Sequence, residues 1–384
     1  MGLVLSPEQL KKSSQNSREA RYSSRFWLNI NSNIKRVRGC GTCSANNQVT
    51  LYVNQSKKSF ERSAGFSDLI TCGSLWACPV CSSKITTKRA LKLSEELKVW
   101  NIKKKGNTAF FTLTMSHTNN DKLSDLFPNL SSAWLDMTSG KAWKKFTTKY
   151  SVLSSLRATE LTHSYVNGWH LHYHGVFLIA PGKEFNIEEL QNDLFDKWSK
   201  ALNKFSYKAS KNYGVDVRKG YGESGLASYL TKYSGAAWEV SGFSTKLAKG
   251  QSRTPFAILK DLSNSFFAGD VDNDDYKRDL AIWFDFEKLS KGRRQFQTGK
   301  NFAALVKDDN PDEIVIEEFD REEAYLDSYY FNLFNRSNFK NSSTLLSIAE
   351  NESLFKALDF YSSEVIKLSP KLTRPSYSFK KVTK

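Results

Sequence analysis

The sequence predicts an α+β fold: a central antiparallel sheet with flanking helices, preceded by a small zinc-binding segment. Three observations carry this expectation. Between residues 109 and 234 the apolar pattern runs strand, helix, strand, strand, helix, helix, an order that builds a largely antiparallel sheet. Residues 168–179 alternate polar and apolar with period two before turning wholly apolar, as a half-buried strand does. All five cysteines fall within residues 39–90, ahead of that sheet.

Taken in order, residues 1–38 read as a basic, helical lead-in and 39–90 as the cysteine segment. A helix is expected over 83–103, with Leu91, Leu93, Leu97 and Trp100 as its apolar positions, broken by Lys103-Lys104-Lys105-Gly106-Asn107. A strand over 109–115 follows, then a helix holding Trp134, Trp143 and Phe146. Strands near 153–162 and 169–179, a helix over 187–205, a basic patch at 215–219 and a short helix at 224–234 complete the pattern. From Asp308 to Asp327 the chain turns acidic, and its last fourteen residues are basic. The expected organisation is a helical and zinc-binding segment at 1–104, a central domain at 105–262 and a helical C-terminal region at 263–384.

The 384 residues carry a net charge of +16, which concentrates polyanions around the chain and favours nucleic acid over small acidic substrates. No apolar run approaches the roughly 20 residues that span a bilayer, so no membrane is expected. The polar first residues lack a signal-peptide core, which makes the cytoplasm the expected compartment. Thiols there stay reduced, so clustered cysteines point to metal rather than disulfides.

Cys40-Gly-Thr-Cys43 and Cys78-Pro-Val-Cys81 are two C-x₂-C hooks, and two hooks supply tetrahedral S₄ zinc. Cys72 is a fifth thiol that could replace Cys40 or Cys43. Such a closed site is structural; it would hold the basic stretch around Lys84, Lys88 and Arg89 toward nucleic acid.

Three of the five histidines, His170, His172 and His174, sit at alternate positions of one strand and therefore share a face. Leu171, Tyr173, Phe177 and Ile179 share the other. Neutral imidazoles on one face can hold a divalent ion and leave coordination positions open for a phosphate oxygen. Glu160, on the preceding strand, is the candidate carboxylate ligand, although a surface glutamate fits that position as well.

Tyr229 and Tyr233 lie four residues apart, one helical turn on the same face. With Leu226, Leu230 and Ala237 on that stripe, spacing alone reads them as core tyrosines. A phenol with a pKa near 10 needs activation to attack at neutral pH, and Lys232 between them could supply positive charge.

In this order the pieces resemble the rolling-circle replication initiators of plasmids and phages, the histidine–hydrophobic–histidine (HUH) endonucleases. Phe111-Thr-Leu-Thr-Met-Ser-His117 is similar to the family's first motif. Arg157-Ala-Thr-Glu160-Leu-Thr-His163 with 168–174 is similar to its metal motif, and Tyr229-Leu-Thr-Lys-Tyr233 to its nucleophile motif. Residues 71–81, Arg253-Thr-Pro-Phe256 and Lys291-Gly-Arg-Arg294 are similar to further segments of plasmid members. The resemblance implies the HUH nuclease fold and Mg²⁺ or Mn²⁺ on His172 and His174, with Glu160 or His170 completing the set. It implies attack by Tyr233 on single-stranded or supercoiled plasmid or phage origin DNA. The products are a 5′-phosphotyrosine and a 3′-hydroxyl primer, with a host helicase and polymerase as further partners. Single-tyrosine members have glutamate four residues before the nucleophile; this chain has Tyr229 there, closer to the phage pair in which two tyrosines alternate. Glu223 is out of register for the glutamate role. The alternatives are an HUH transposase or relaxase, or a non-catalytic zinc-containing DNA-binding regulator. Oligomeric state is not legible.

Overall fold

The computed structural model describes residues 7–43, 47–57, 59, 61–220, 252–308, 319–371 and 377–383. Two antiparallel sheets organise them. The larger holds β3 (Asn107–Thr114), β4 (Val152–Ser164), β5 (Gly168–Ile179), β6 (Val215–Lys219) and β7 (Phe296–Thr298), in the order β6-β3-β5-β4-β7. The smaller joins β1 (Gln48–Ser56) and β2 (Arg62–Ser67) to β8 (Phe319–Asp327) and β9 (Tyr377–Thr383), in the order β2-β1-β8-β9.

The long hairpin β4–β5 is the frame of the site. Its register pairs Glu160 with His172 and Ala158 with His174. Gly168 begins β5 at φ +71, a left-handed conformation that suits glycine. Gly175 is required for a different reason: a Cβ there would overlap the Phe111 ring of β3 and stand 2.6 Å from the Leu156 carbonyl oxygen of β4. Three strands thus approach more closely at the end of the histidine run than a side chain permits.

The two faces of β5 have different fates. Tyr173 and Phe177 pack beneath α4 (Leu123–Met137), α5 (Gly140–Lys149) and α6 (Ile187–Asn203), in the main core. On the other face, Val176 and Leu178 are covered by Leu93 and Leu97 of α3 (Pro79–Lys98), Trp100 of the π-helical turn Val99–Lys103, and Phe302 of α9 (Phe302–Leu305). His170, His172 and His174 precede that cover and stay half-buried. Helix α6 starts at Asn186, whose side chain accepts from the Glu189 amide, and Trp198 on its buried side donates to the Thr114 carbonyl oxygen at 2.9 Å.

Several expectations need correction. The helix expected to hold Trp134, Trp143 and Phe146 is two, α4 and α5, broken at Gly140 with φ +70. Leu91 is exposed, because the turn of α3 that carries it faces away from the sheet. The basic patch at 215–219 is an edge strand whose Val215 and Val217 point inward. The region beyond 263 is not helical throughout. Beside α8 (Asp274–Ser290), α10 (Ser328–Ser337), α11 (Asn341–Asn351) and α12 (Leu354–Leu368) it supplies β7 to the larger sheet and β8 and β9 to the smaller. Residues 48–67 and 319–327 therefore fold together, and the outer segments of the expected division share one sheet. Helix α1 (Pro7–Asn31) contacts both α7 (Pro255–Ala268) and α11. Among the described residues, no helix is long and apolar enough to cross a membrane.

Candidate functional site

Glu160, His172 and His174 converge. His172 Nε2 lies 3.0 Å and His174 Nε2 2.6 Å from Glu160 Oε2, and the two Nε2 atoms are 2.9 Å apart. Two bare imidazole nitrogens gain little from such closeness. Adjacent donors on one divalent ion lie about 3 Å apart. The three donor atoms lie close enough together to share one ion.

The surroundings are arranged for that. Thr112, paired with His174 across β3 and β5, places its Oγ1 3.0 Å from His174 Nδ1, which leaves Nε2 turned toward Glu160 and His172. Burial pushes the Glu160 carboxyl upward, but the charge and hydrogen bonds of His172 and His174 more than offset it and hold the group well below the usual carboxylate range. His170 shares the face but turns to His117, whose Nε2 lies 2.8 Å from His170 Nδ1. Burial, reinforced by the charges of His172 and His117, pulls His170 down to about 4. Of the two candidates for the third ligand, the geometry brings in Glu160 and sets His170 beside the group.

A pocket opens against the group. Glu160 and His174 line it together with Arg89 and Trp76 from the cysteine segment side, and Phe256 and Phe296 from beyond residue 252. One cation and several aromatic faces thus border the triad. Tyr229, Lys232 and Tyr233 lie outside the described residues. The chain returns from them at Arg253, which bridges to His163 on β4 through two backbone hydrogen bonds of 2.7 and 2.8 Å. Its guanidinium grips the buried Asp279 of α8 through two bonds of 2.6 and 2.7 Å, and Tyr165 donates to the same carboxylate. Thr254 then caps α7, with Pro255 in its first turn. The Arg253-Thr-Pro-Phe256 motif therefore anchors the chain beside the hairpin.

Four cysteine sulfurs cluster elsewhere. Cys40 Sγ is 3.7 Å from Cys78 Sγ and 3.5 Å from Cys81 Sγ, and Cys72 Sγ is 3.6 Å from Cys81 Sγ. Zinc at about 2.3 Å from four thiolates spaces them at about 3.8 Å, so the quartet fits a tetrahedral ion. Cys78 precedes α3 and Cys81 lies in its first turn, where Pro79 is tolerated. Hydrogen bonds, first from Cys40 and then from Cys72 and Cys78, pull the Cys81 thiol down, which favours a thiolate there. The fifth cysteine departs from the expected hook. Cys43 Sγ faces the Ser328 carbonyl oxygen at 3.3 Å, and burial pushes its thiol up to about 11. Cys72 takes its place, because the chain turns away at 41–43 and Leu69 pairs with Cys43.

Sequence reasoning overlooked Thr112 as a partner of the site and His117 as the partner of His170. The alternation of Phe111-Thr-Leu-Thr would have placed Thr112 on the histidine face once strand pairing was known. Trp169 and Trp198 are buried in the core, and Trp143 stacks on Phe146.

Comparison with known proteins places the chain in a family. Residues 68–336 match the family model described as Replication protein. The chain belongs to that family. The matched span contains Glu160, His172, His174 and three of the four clustered cysteines. The chain is 25% identical over 285 residues to Protein rep of Streptomyces lividans, covering 60% of this chain and 62% of that one. It is 27% identical over 140 residues to Neomycin resistance protein of Streptomyces cyanogenus, covering 30% of this chain and 32% of the other. The chain thus spans less than two thirds of either relative. No solved structure matches.

Proposed function

We propose that this member of the replication-protein family initiates rolling-circle replication by nicking and rejoining one strand of plasmid or phage origin DNA. The observation that carries the reading is the convergence of Glu160, His172 and His174 within 3.0 Å, in a pocket bordered by Arg89 and aromatic side chains. A two-histidine, one-carboxylate face is also a ligand pattern of iron oxygenases. Family membership and the +16 charge favour a phosphodiester instead.

In this reading Glu160, His172 and His174 hold Mg²⁺ or Mn²⁺, and Thr112 orients His174. The ion would polarise the scissile phosphate. Tyr233 attacks phosphorus, the bond to the 3′ oxygen breaks, and a 5′-phosphotyrosine and a free 3′-hydroxyl result. The phenolic proton passes to the leaving oxygen or to solvent. The new linkage is still a phosphodiester, so a later 3′-hydroxyl rejoins the strand without ATP. Tyr229 takes the second transfer, and Lys232 supplies positive charge between the two. The HUH fold, the endonuclease role of residues 105–262, a structural zinc on Cys40, Cys72, Cys78 and Cys81, and action in the cytoplasm with a host helicase and polymerase belong to the same proposal. The test is supercoiled plasmid carrying the neighbouring origin, incubated with Mn²⁺. The expected product is nicked DNA with a protein adduct that survives denaturation, lost in Tyr233→Phe. Binding without adduct at any metal concentration would leave a DNA-binding regulator. Rejoining that is untouched in Tyr229→Phe would remove the two-tyrosine scheme.

A further inference from the structure

Arg157 stands three residues before Glu160 on β4 and faces the opposite side of the sheet. It is 5% exposed. Its guanidinium lies 4.1 Å from the centre of the Tyr173 ring and 4.9 Å from that of Trp134, and Nη2 donates to Gln297 Oε1 at 2.6 Å. Nε is buried without a hydrogen-bond partner, and no carboxylate of the described residues pairs with the group. A buried guanidinium in that state is costly unless an anion meets it.

A pocket opens on this guanidinium. Arg293, Arg294, Tyr173, Ser131, Thr159 and Gln297 line it with Arg157, giving three cations and three hydroxyls. Burial draws Arg157 and Arg293 below the usual arginine value, yet arginine keeps its charge at neutral pH. The loop that supplies two of the cations is held in place. Gly292 turns it at φ +76, and Arg293 Nε donates to the Leu289 carbonyl oxygen at 2.7 Å. Trp76, between the clustered cysteines Cys72 and Cys78, donates to the Arg293 carbonyl oxygen at 2.9 Å. The Lys291-Gly-Arg-Arg294 motif is therefore presented by the cysteine segment.

The two pockets share a wall. Arg293, Arg294 and Gln297 line the arginine pocket, while Gln295 and Phe296 of the same segment line the pocket at the triad, and Thr159 borders both. We propose that the arginine pocket is a phosphate subsite that holds one backbone phosphate of the single DNA strand engaged at Glu160, His172 and His174. The planar forks of three arginines match the tetrahedral oxygens of a phosphodiester. The strand crosses the 293–297 segment, which fixes its register relative to the scissile bond. This assignment rests on the reading that a single strand is the substrate.

The test is binding of a fluorescent single-stranded origin oligonucleotide in buffer with no added divalent metal and no chelator, with each phosphate replaced in turn by an uncharged methylphosphonate. For the natural protein, one position within a few nucleotides of the nick should weaken binding about tenfold more than its neighbours. Arg294→Gln, at an exposed loop position, should bind the unmodified strand about tenfold more weakly and be indifferent to that one position. Its log affinity should depend less on log salt, by a slope of about 0.7. Arg157→Lys, which keeps charge but loses the fork, should show the same selective loss. A flat profile in the natural protein, or identical profiles in natural and Arg294→Gln proteins, overturns the proposal. A flat profile with thermal stabilisation by inorganic phosphate would assign the pocket to a free anion and equally overturn it. Nicking is scored separately with Mn²⁺ on supercoiled plasmid. A selective binding profile without nicking would sink the nuclease reading alone, and nicking with a flat profile would sink the phosphate subsite alone.

Discussion

Replacing Cys72 by alanine should weaken or empty the proposed zinc site, and replacing Cys43 should not. The four clustered sulfurs are Cys40, Cys72, Cys78 and Cys81, with contacts of 3.5–3.7 Å against the roughly 3.8 Å edge of a zinc tetrathiolate. Structural zinc contributes about 10–16 kcal/mol in small domains. One ligand of four is then worth about 2.5–4 kcal/mol, or two to three orders of magnitude in zinc affinity. Cys43 offers only a weak contact to the Ser328 carbonyl oxygen, so its loss should cost about 0.5–1 kcal/mol. Competition against a chromophoric chelator, with elemental analysis of the purified proteins, measures both. The expected result is one tightly held zinc in the natural and Cys43→Ala proteins and weakened or absent zinc in Cys72→Ala. Equal zinc affinity in natural and Cys72→Ala proteins, or loss of zinc in Cys43→Ala, would refute the assignment. Because Trp76 lies between Cys72 and Cys78 and holds the Arg293 carbonyl oxygen, the Cys72 variant should also weaken single-strand binding.

Glu160→Gln and His174→Ala should each lower Mn²⁺-dependent nicking at least 100-fold, while Thr112→Val should weaken Mn²⁺ affinity about 10- to 100-fold through loss of the Oγ1 contact to His174; metal titration by paramagnetic resonance reads the latter, and unchanged affinity would remove Thr112 from the site. His163 is buried, and burial, followed by the charge of Arg253, pulls it down to about 4 from 6.5. The unfolded chain then binds a proton before the folded one does, so this stability is intact above about pH 6.5 and is lost as pH falls toward 4, about 2 kcal/mol by pH 5. Urea unfolding at pH 7 and pH 5 should show that loss, and His163→Gln should flatten it. Gly175→Ala forces a methyl group into the Phe111 ring and against the Leu156 carbonyl, and should cost about 1–3 kcal/mol in denaturant unfolding; an unchanged midpoint would show that β3 and β4 can separate there.

Local chemistry made much of this protein legible from sequence. The period-two alternation at 168–179 placed three imidazoles on one face, since successive side chains of a strand must point to opposite sides. The antiparallel pairing of β4 with β5 was legible because only residues 165–167 separate the two strands. The Cys78-Pro-Val-Cys81 hook was legible from its C-x₂-C spacing, but the helix expected from residue 83 begins at Pro79, so the hook lies at its start. What depended on strands meeting across long stretches of chain was not. Register alone chose Glu160 over His170 as the third member of the group, by setting Glu160 opposite His172 while His117 engaged His170. Packing between residues 40 and 72 chose Cys72 over Cys43, although the sequence offered the neater spacing. The pairing of residues 48–56 with 319–327, and the arginines gathered from 157 and 293–294, likewise arise from contacts more than a hundred residues apart. Spacing within a short segment constrains which side chains share a face, because backbone geometry repeats. Which of those faces meet is set by burial over the whole chain.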